Sequence, residues 1–317
     1  MKILITGVAG FIGSNLAHRL LAENQRIKIQ NTYEVKGIDN LSCGLKRNIP
    51  KGVDFFCVDI RKKNLQRLFE DVDVVFHLAA KNCINDCQQH PVETAEINIT
   101  GTVNVFEAAR KSGVRKVIYA ESSALYEGSR LFPTPESEMW PESFYAISKY
   151  SAMGFAQAFQ KFYDLKFTAL RYFCVYGPVQ DYRRTIPPVM SAFIIKLLKG
   201  ERPIIFGTGE KRRDFIYIDD VNDFHLKCLH DVRTDNRTFN LGSGINYSVL
   251  EILKMVSDLL GKQVAPIFKP DLPGEAQITL ADISEAKKLG WEPKTNIKNG
   301  LLRAIDYIKH EIALGRI

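Results

Sequence analysis

Tyr145 and Lys149 stand four residues apart in a stretch of helical periodicity, so their side chains share one helix face a turn apart. An ammonium beside a phenol lowers the phenol's pKa from its ordinary value of about 10 and makes a phenolate accessible near neutral pH. A tyrosine so placed can take a proton from a hydroxyl and give it back. Ser122-Ser123 precede the pair by one loop, at the end of an apolar run. Near the start of the chain, residues 2 to 16 read KILITGVAGFIGSNL: a short strand, then Gly7, Gly10 and Gly13 three residues apart, then an amphipathic helix. A tight turn without room for Cβ, a backbone that must approach a pyrophosphate, and close helix-strand packing all call for glycine there. The helix N-terminus would meet the phosphate charge, although a purely structural turn would use the same residues.

The next apolar run ends at Asp39. A carboxylate at that place accepts hydrogen bonds from both adenosine ribose hydroxyls and repels a 2′-phosphate, which favours NAD over NADP; a surface aspartate is the bland alternative. Asp59-Ile60, after the third run, stands where a carboxylate could reach the adenine amine.

These groups must be positioned by an alternating framework. Lys2 to Thr6, Glu34 to Ile38, Asp54 to Val58, Val72 to Leu78 and Lys116 to Ala120 have the length and β-branched content of buried parallel strands. Helical patterns lie between them, over Phe11 to Leu21, Leu65 to Glu70, Ile99 to Ser112 and Tyr145 to Tyr163. Strands alternating with helices predict an α/β fold, a Rossmann-type doubly wound parallel sheet. After a further strand at Thr168 to Tyr172 the pattern turns loop-rich, with helices near Pro188 to Lys199 and Val249 to Leu260. Residues 1–166 are read as a dinucleotide-binding domain. Residues 167–317 are read as mainly a smaller, interleaved substrate domain with strands returning to the first sheet.

With 317 residues and 45% hydrophobic content the chain can bury a substantial core. No stretch approaches the roughly 18 apolar residues of a membrane helix, and the opening residues do not read as a signal peptide, so a cytoplasmic protein without membrane association is expected. Six dispersed cysteines lack CxxC pairing or zinc-type spacing, so no metal and no disulfide framework is expected. The net charge of +7 is spread over short clusters, a solvated basic surface rather than a nucleic-acid site.

The sequence resembles the extended short-chain dehydrogenases/reductases, in their NAD-dependent sugar-nucleotide epimerase/dehydratase branch, over essentially its whole length. The resemblance rests on TGVAGFIG (6–13), IDNLSCG (38–44), HLAA (77–80), INITGTVNVFEAAR (97–110), ESSALYEG (121–128), YAISK (145–149), RYFCVYGP (171–178), RRDFIYIDDV (212–221), FNLGSG (239–244) and PGEAQITLADISEAKKLGW (273–291). It implies a catalytic trio in which Ser122 hydrogen-bonds the substrate hydroxyl and relays its proton to Tyr145, while Lys149 also holds the nicotinamide ribose. It implies a cofactor lining of Gly7, Gly10, Phe11, Ile12, Gly13, Asp39, Asn40, Asp59, Ile60, Leu78, Ala79, Ala80, Lys81, Asn98 and Tyr172 together with Tyr145 and Lys149. The substrate would meet Lys81, Ser122, Ser123, Tyr145, Cys174, Phe206, Arg213 and Thr279, with Arg213 on its diphosphate. A strand-end cap for Ser122 and a surface ion pair for Arg213 are the structural alternatives. Relatives form homodimers through helices corresponding to Ile99 to Ser112 and Tyr145 to Tyr163, so a homodimer is implied as well.

Departures from the family pattern narrow the reaction. Ser123 and Ala124 occupy the positions where 4,6-dehydratases carry Asp-Glu, and neither can supply the acid and base that removal of water requires. Cys174 stands for a substrate-contacting Asn, and Leu272 for a phosphate-gripping Arg. Thr279 is small where enzymes of plain hexoses carry Tyr, leaving room for a 2-acetamido group. The expected reaction is inversion at C4 of a nucleoside diphosphate hexose, of the UDP-glucose or UDP-N-acetylhexosamine type, through a transient 4-keto sugar. Alternatives are uronic acid decarboxylation, 4-ketoreduction, or a non-catalytic sensor of NAD or sugar nucleotide.

Overall fold

The computed structural model describes residues 1–26, 32–184, 186–271 and 274–317. Leu272, and residues 27–31 of the polar insert after the first helix, lie outside the described residues. The chain runs through β1 (Lys2–Thr6), α1 (Phe11–Arg26), β2 (Glu34–Asp39), β3 (Val53–Cys57), α2 (Gln66–Phe69), β4 (Val74–His77), α3 (Ile84–Gln89), α4 (Pro91–Ala95), α5 (Gly101–Lys111), β5 (Lys116–Ser122), α6 (Phe144–Tyr163) and β6 (Lys166–Tyr172). It continues with β7 (Cys174–Tyr176), α7 (Val189–Leu198), β8 (Ile204–Phe206), β9 (Arg212–Tyr217), α8 (Ile218–His230), β10 (Arg237–Leu241), β11 (Asn246–Ser248), α9 (Val249–Leu260), β12 (Ile267–Lys269), α10 (Ser284–Lys288) and α11 (Ile297–Ala313).

Two compact units emerge. The first comprises residues 1–129, 136–172 and 222–239. Its seven-stranded sheet has the order β3-β2-β1-β4-β5-β6-β10, the Rossmann arrangement in which the chain reverses direction beside β1. The registers from β3 through β6 are parallel, with Ile3 opposite both Val35 and Val74. Parallel strands covered on both faces must be apolar throughout, and Ile3, Leu4, Ile5, Val74, Val75 and Phe76 are fully buried. On the α6 side the sheet packs Val117, Tyr119, Phe167 and Ala169 against Ala152, Ala156 and Phe159. The strands and helices anticipated for this half are present with ends moved by one to a few residues. The helix anticipated from Ile99 begins instead as a π-turn at Glu96–Thr100 and becomes α-helical at Gly101.

The second unit comprises residues 130–135, 173–221 and 240–317. It holds a three-stranded sheet, β11-β9-β7, and the pair β12-β8. A capping box at Ser248 and Glu251 starts α9, and Gly261 in the left-handed region ends it. Helices α8 and α11, not anticipated from the sequence, are both well formed, and α11 is capped at its start by Asn296. Among the described residues no helix is long and apolar enough to cross a membrane.

Candidate active site

The glycine turn joins β1 to α1. Gly7 sits at φ +76, where a Cβ would lie 2.8 Å from the Ala79 nitrogen, and a Cβ on Gly13 would come within 2.2 Å of the Gly7 carbonyl oxygen. Both positions are closed to any other residue. Gly7 and Val8 donate backbone hydrogen bonds to the Ile38 carbonyl, at 2.7 and 3.4 Å, tying the turn to the end of β2. At that end Asp39 is buried, and its two carboxylate oxygens accept from Ala9 N (3.0 Å) and Leu41 N (2.8 Å). Burial pushes its pKa up while these two bonds oppose the shift. Each oxygen keeps acceptor capacity, and α1 has no acidic side chain in its first turn. A pyrophosphate at the helix N-terminus and a ribose diol at Asp39 therefore fit the residues present.

Around this turn several of the anticipated lining residues also have partners within the protein. Ala79 N donates to Thr6 Oγ1 at 3.2 Å, holding residues 78–80 against the glycine turn. Asp59 is engaged by Arg61, through Nη2 at 2.7 Å, and by Asn40 Nδ2 at 2.9 Å, and the guanidinium holds its carboxyl well below the usual range. Ile60 is buried against Gly101. The Lys81 ammonium pairs with Glu93. The Tyr172 hydroxyl meets His225 Nε2 in the core at 2.7 Å.

Asn98, within the π-turn, is a brace. Its Oδ1 accepts from Lys81 N at 2.9 Å, and its Nδ2 donates to the Lys81 carbonyl and to Ser148 Oγ, both at 2.9 Å. One buried amide thus ties the loop after β4 to α6. A π-turn is rare and recurs at functional sites.

Helix α6 presents Tyr145 and Lys149, 8% and 2% exposed. Its N-terminus is anchored by Ser143, whose Oγ accepts from Ala146 N (3.1 Å) and donates to Glu127 Oε1 (2.8 Å), while Ser143 N donates to Glu127 Oε2 (2.8 Å). Lys149 Nζ donates to the Ala120 carbonyl at 2.8 Å and lies 5.0 Å from the Tyr119 ring centroid. Burial lowers its pKa to about 8, with Glu121 opposing the shift. At the end of β5, Ser122 Oγ accepts from Ala124 N at 3.1 Å, the strand-end cap weighed above, and its hydroxyl hydrogen remains able to donate elsewhere. Ser123 follows in the same turn.

In the second unit, Cys174 on β7 and Arg213 on β9 lie on paired strands, and burial pushes the Cys174 thiol up to about 11 against the pull of Arg213. Arg213 Nη1 donates to the Arg212 carbonyl at 3.0 Å, and its guanidinium is 3.6 Å from Glu275. Thr279 N donates to the same Arg212 carbonyl at 3.0 Å, and Thr279 Oγ1 accepts from Asp214 N at 3.1 Å. Phe206 ends β8, opposite Lys269. The anchor of α6 by Glu127 escaped the sequence reading, and so did the ion pair between Glu121 and Arg171, at 2.8 Å, although both glutamates stand in ESSALYEG.

Such a glycine turn feeding a Rossmann sheet, with Tyr145 and Lys149 on the helix leading into β6, defines a dinucleotide-dependent enzyme of the short-chain type. Residues 3–242 match the model of the NAD dependent epimerase/dehydratase family. The chain belongs to that family, and NAD is its cofactor. It is 36% identical over 312 residues to a putative UDP-glucose 4-epimerase of Methanocaldococcus jannaschii, covering 97% of this chain and 98% of the relative. It is similar to the crystal structure of the Thermotoga maritima UDP-glucose 4-epimerase with UDP-glucose, at a TM-score of 0.93 and 35% identity over 98% of this chain and 100% of the other. The Thermus thermophilus UDP-glucose 4-epimerase complex with NAD is also similar, at a TM-score of 0.89 and 31% identity over 98% of this chain and 99% of the other.

Proposed function

We propose that the protein is a nucleotide-sugar 4-epimerase that inverts C4 of a nucleoside diphosphate hexose of the UDP-glucose or UDP-N-acetylhexosamine type. The observation that carries this reading is the buried Lys149 ammonium, held on the Ala120 carbonyl one helical turn from Tyr145 and two residues before Ser122 along the chain. Bound NAD supplies a reversible hydride acceptor for the C4 hydrogen, so oxidation and reduction leave no net redox change. The proton of the C4 hydroxyl passes to Tyr145, the phenolate, through Ser122, whose Oγ accepts from the C4 hydroxyl and whose own hydrogen goes to the phenolate. Lys149 stabilises the phenolate by its charge. Once the 4-keto sugar has turned and its C4 has taken the hydride back on the opposite face, Tyr145 returns the proton to the C4 oxygen. Arg213 binds the diphosphate, about which the intermediate rotates. The same side chains, with Ser123 and Ala124 unable to work as acid and base, speak against dehydration.

Incubating the purified protein with UDP, GDP, CDP and dTDP hexoses, hexosamines and uronic acids, and resolving the products by chromatography and proton NMR, tests this reading. A C4-inverted product without NADH consumption is expected. Stoichiometric loss of NADH would identify a reductase, and release of carbon dioxide a decarboxylase; either result replaces the epimerase reading. A homodimer belongs to the same proposal and is supported by an apolar stripe on α6: Phe144, Ile147, Phe155 and Phe162 recur at helical spacing and are 45–70% exposed.

A further inference from the structure

Glu121 is an unusual residue at the end of a buried strand. Its side chain is fully buried, as is that of Arg171 directly opposite on β6, and Arg171 Nε donates to Glu121 Oε2 at 2.8 Å. Arg171 is held in turn by the Tyr126 hydroxyl at 2.8 Å and the Glu136 carbonyl at 2.6 Å. The other carboxylate oxygen, Oε1, is buried without a hydrogen-bond partner among the described residues. A buried charged oxygen left without a hydrogen bond is costly unless another charge compensates it.

Strand alternation shows where that charge comes from. Glu121 and Tyr119 share one face of β5, and the Tyr119 ring lies under the Lys149 ammonium, which is bonded to the carbonyl of the residue between them. The titratable groups that interact with Glu121 are Arg171 from β6, Tyr119 from its own strand, Tyr126 from the following turn and Lys149 from α6, and Tyr145 from α6 interacts in turn with Tyr119. Lys149 also feels His77 from β4 and Cys87 from α3. His77, with its pKa lowered to about 3 by burial, is neutral, and Cys87, raised by burial, is a thiol. Neither brings a countercharge to the ammonium; burial pushes the Glu121 carboxyl up as well, but the Arg171 guanidinium at 2.8 Å, and after it Lys149, oppose that shift and favour the carboxylate.

We propose that Glu121, clamped by Arg171, is a positioning residue that serves as the buried countercharge of Lys149, keeping the ammonium protonated and seated on the Ala120 carbonyl. This rests on the reading of Lys149 as the charge that activates Tyr145. With its side chain fully buried on Arg171, Glu121 acts through Lys149.

The test follows the Lys149 Nζ signal of 15N-lysine-labelled protein across pH, identified by its loss in Lys149→Met. Glu121→Gln keeps an acceptor for Arg171 and removes the charge. The Lys149 midpoint is expected to fall by about one unit or more, with the basic limb of kcat/KM moving by the same amount and KM unchanged. Glu121→Asp should restore most of the wild-type midpoint, which a loss of packing alone would not do. If Glu121→Gln does not fold, the double substitution Glu121→Met/Arg171→Met exchanges the ion pair for apolar groups of similar length and should show the same fall. A midpoint within about 0.3 units of wild type in a folded variant overturns the proposal. The NMR titration needs no turnover, so a wild-type protein that inverts no sugar sinks the functional reading and leaves this one to be judged separately.

Discussion

Lys149 shows how a single buried ammonium couples chemistry to stability. Folded, it loses its proton near pH 8; unfolded, near its ordinary value of 10.5. Between those values the unfolded chain binds more protons, so stability contributed by this group rises as pH rises from about 8 to about 10.5, by roughly 3 kcal/mol in all. Denaturant titrations across that range should show the rise in wild type and its loss in Lys149→Met. Activity runs the other way. The ammonium is lost above pH 8, so kcat/KM is expected to fall with an apparent pKa near 8. At the same scale, Tyr145→Phe removes the proton acceptor and should lower kcat about 10²–10⁴-fold with little change in unfolding midpoint. Full activity in that variant would sink the mechanism. The shared helix face of Tyr145 and Lys149 was legible in the sequence because i and i+4 on a helix determine proximity; the catalytic roles given to them came from the resemblance.

At the scale of elements, the site depends on how the loop after β4 and helix α6 are joined. Asn98 makes that joint with one amide, bonded to Lys81 17 residues away and to Ser148 50 residues away. Asn98→Ala leaves the part-buried Lys81 N–H without its acceptor and takes from the Lys81 carbonyl one of its two donors, and should cost about 1–3 kcal/mol in chemical denaturation. It should also weaken NAD binding, read by fluorescence titration, because residues 78–81 are no longer held against the glycine turn. A variant as stable and as tightly binding as wild type would show that the joint is incidental. Sequence reasoning placed Asn98 near the cofactor by resemblance. It could not see the brace, whose partners are distant in the chain.

For the whole molecule, the two units carry separable parts of the proposed chemistry. Arg213→Met, in the second, is expected to raise KM for the nucleotide sugar about tenfold or more. NAD binding, assigned to the first, should stay unchanged; equal losses in both would contradict the division of labour. The exposed α6 stripe makes a further prediction. Ile147→Glu/Phe155→Glu should give a monomer by sedimentation equilibrium where wild type sediments as a dimer, and a monomeric wild type would overturn the homodimer.

The sequence alone determined the β1 turn, the apolar strands of the parallel sheet and the Tyr145-Lys149 face. Each of these is specified by local rules: the steric demand for glycine at Gly7 and Gly13, continuous apolar runs for strands buried on both faces, and the helical repeat. Only the tertiary structure decided where the polar groups spend their hydrogen bonds. Asp59 is engaged by Arg61, Lys81 by Glu93 and Tyr172 by His225, while Glu121 meets Arg171 because β5 and β6 align in parallel register. Apart from the local pair of Asp59 with Arg61, two residues apart, such pairings depend on which elements lie side by side and on what burial makes costly to leave unpaired. The sequence reading expected strands of the second half to return to the first sheet, and the structure places β10 beside β6; that neighbour, like the register that sets Glu121 against Arg171, is written in no spacing within the chain.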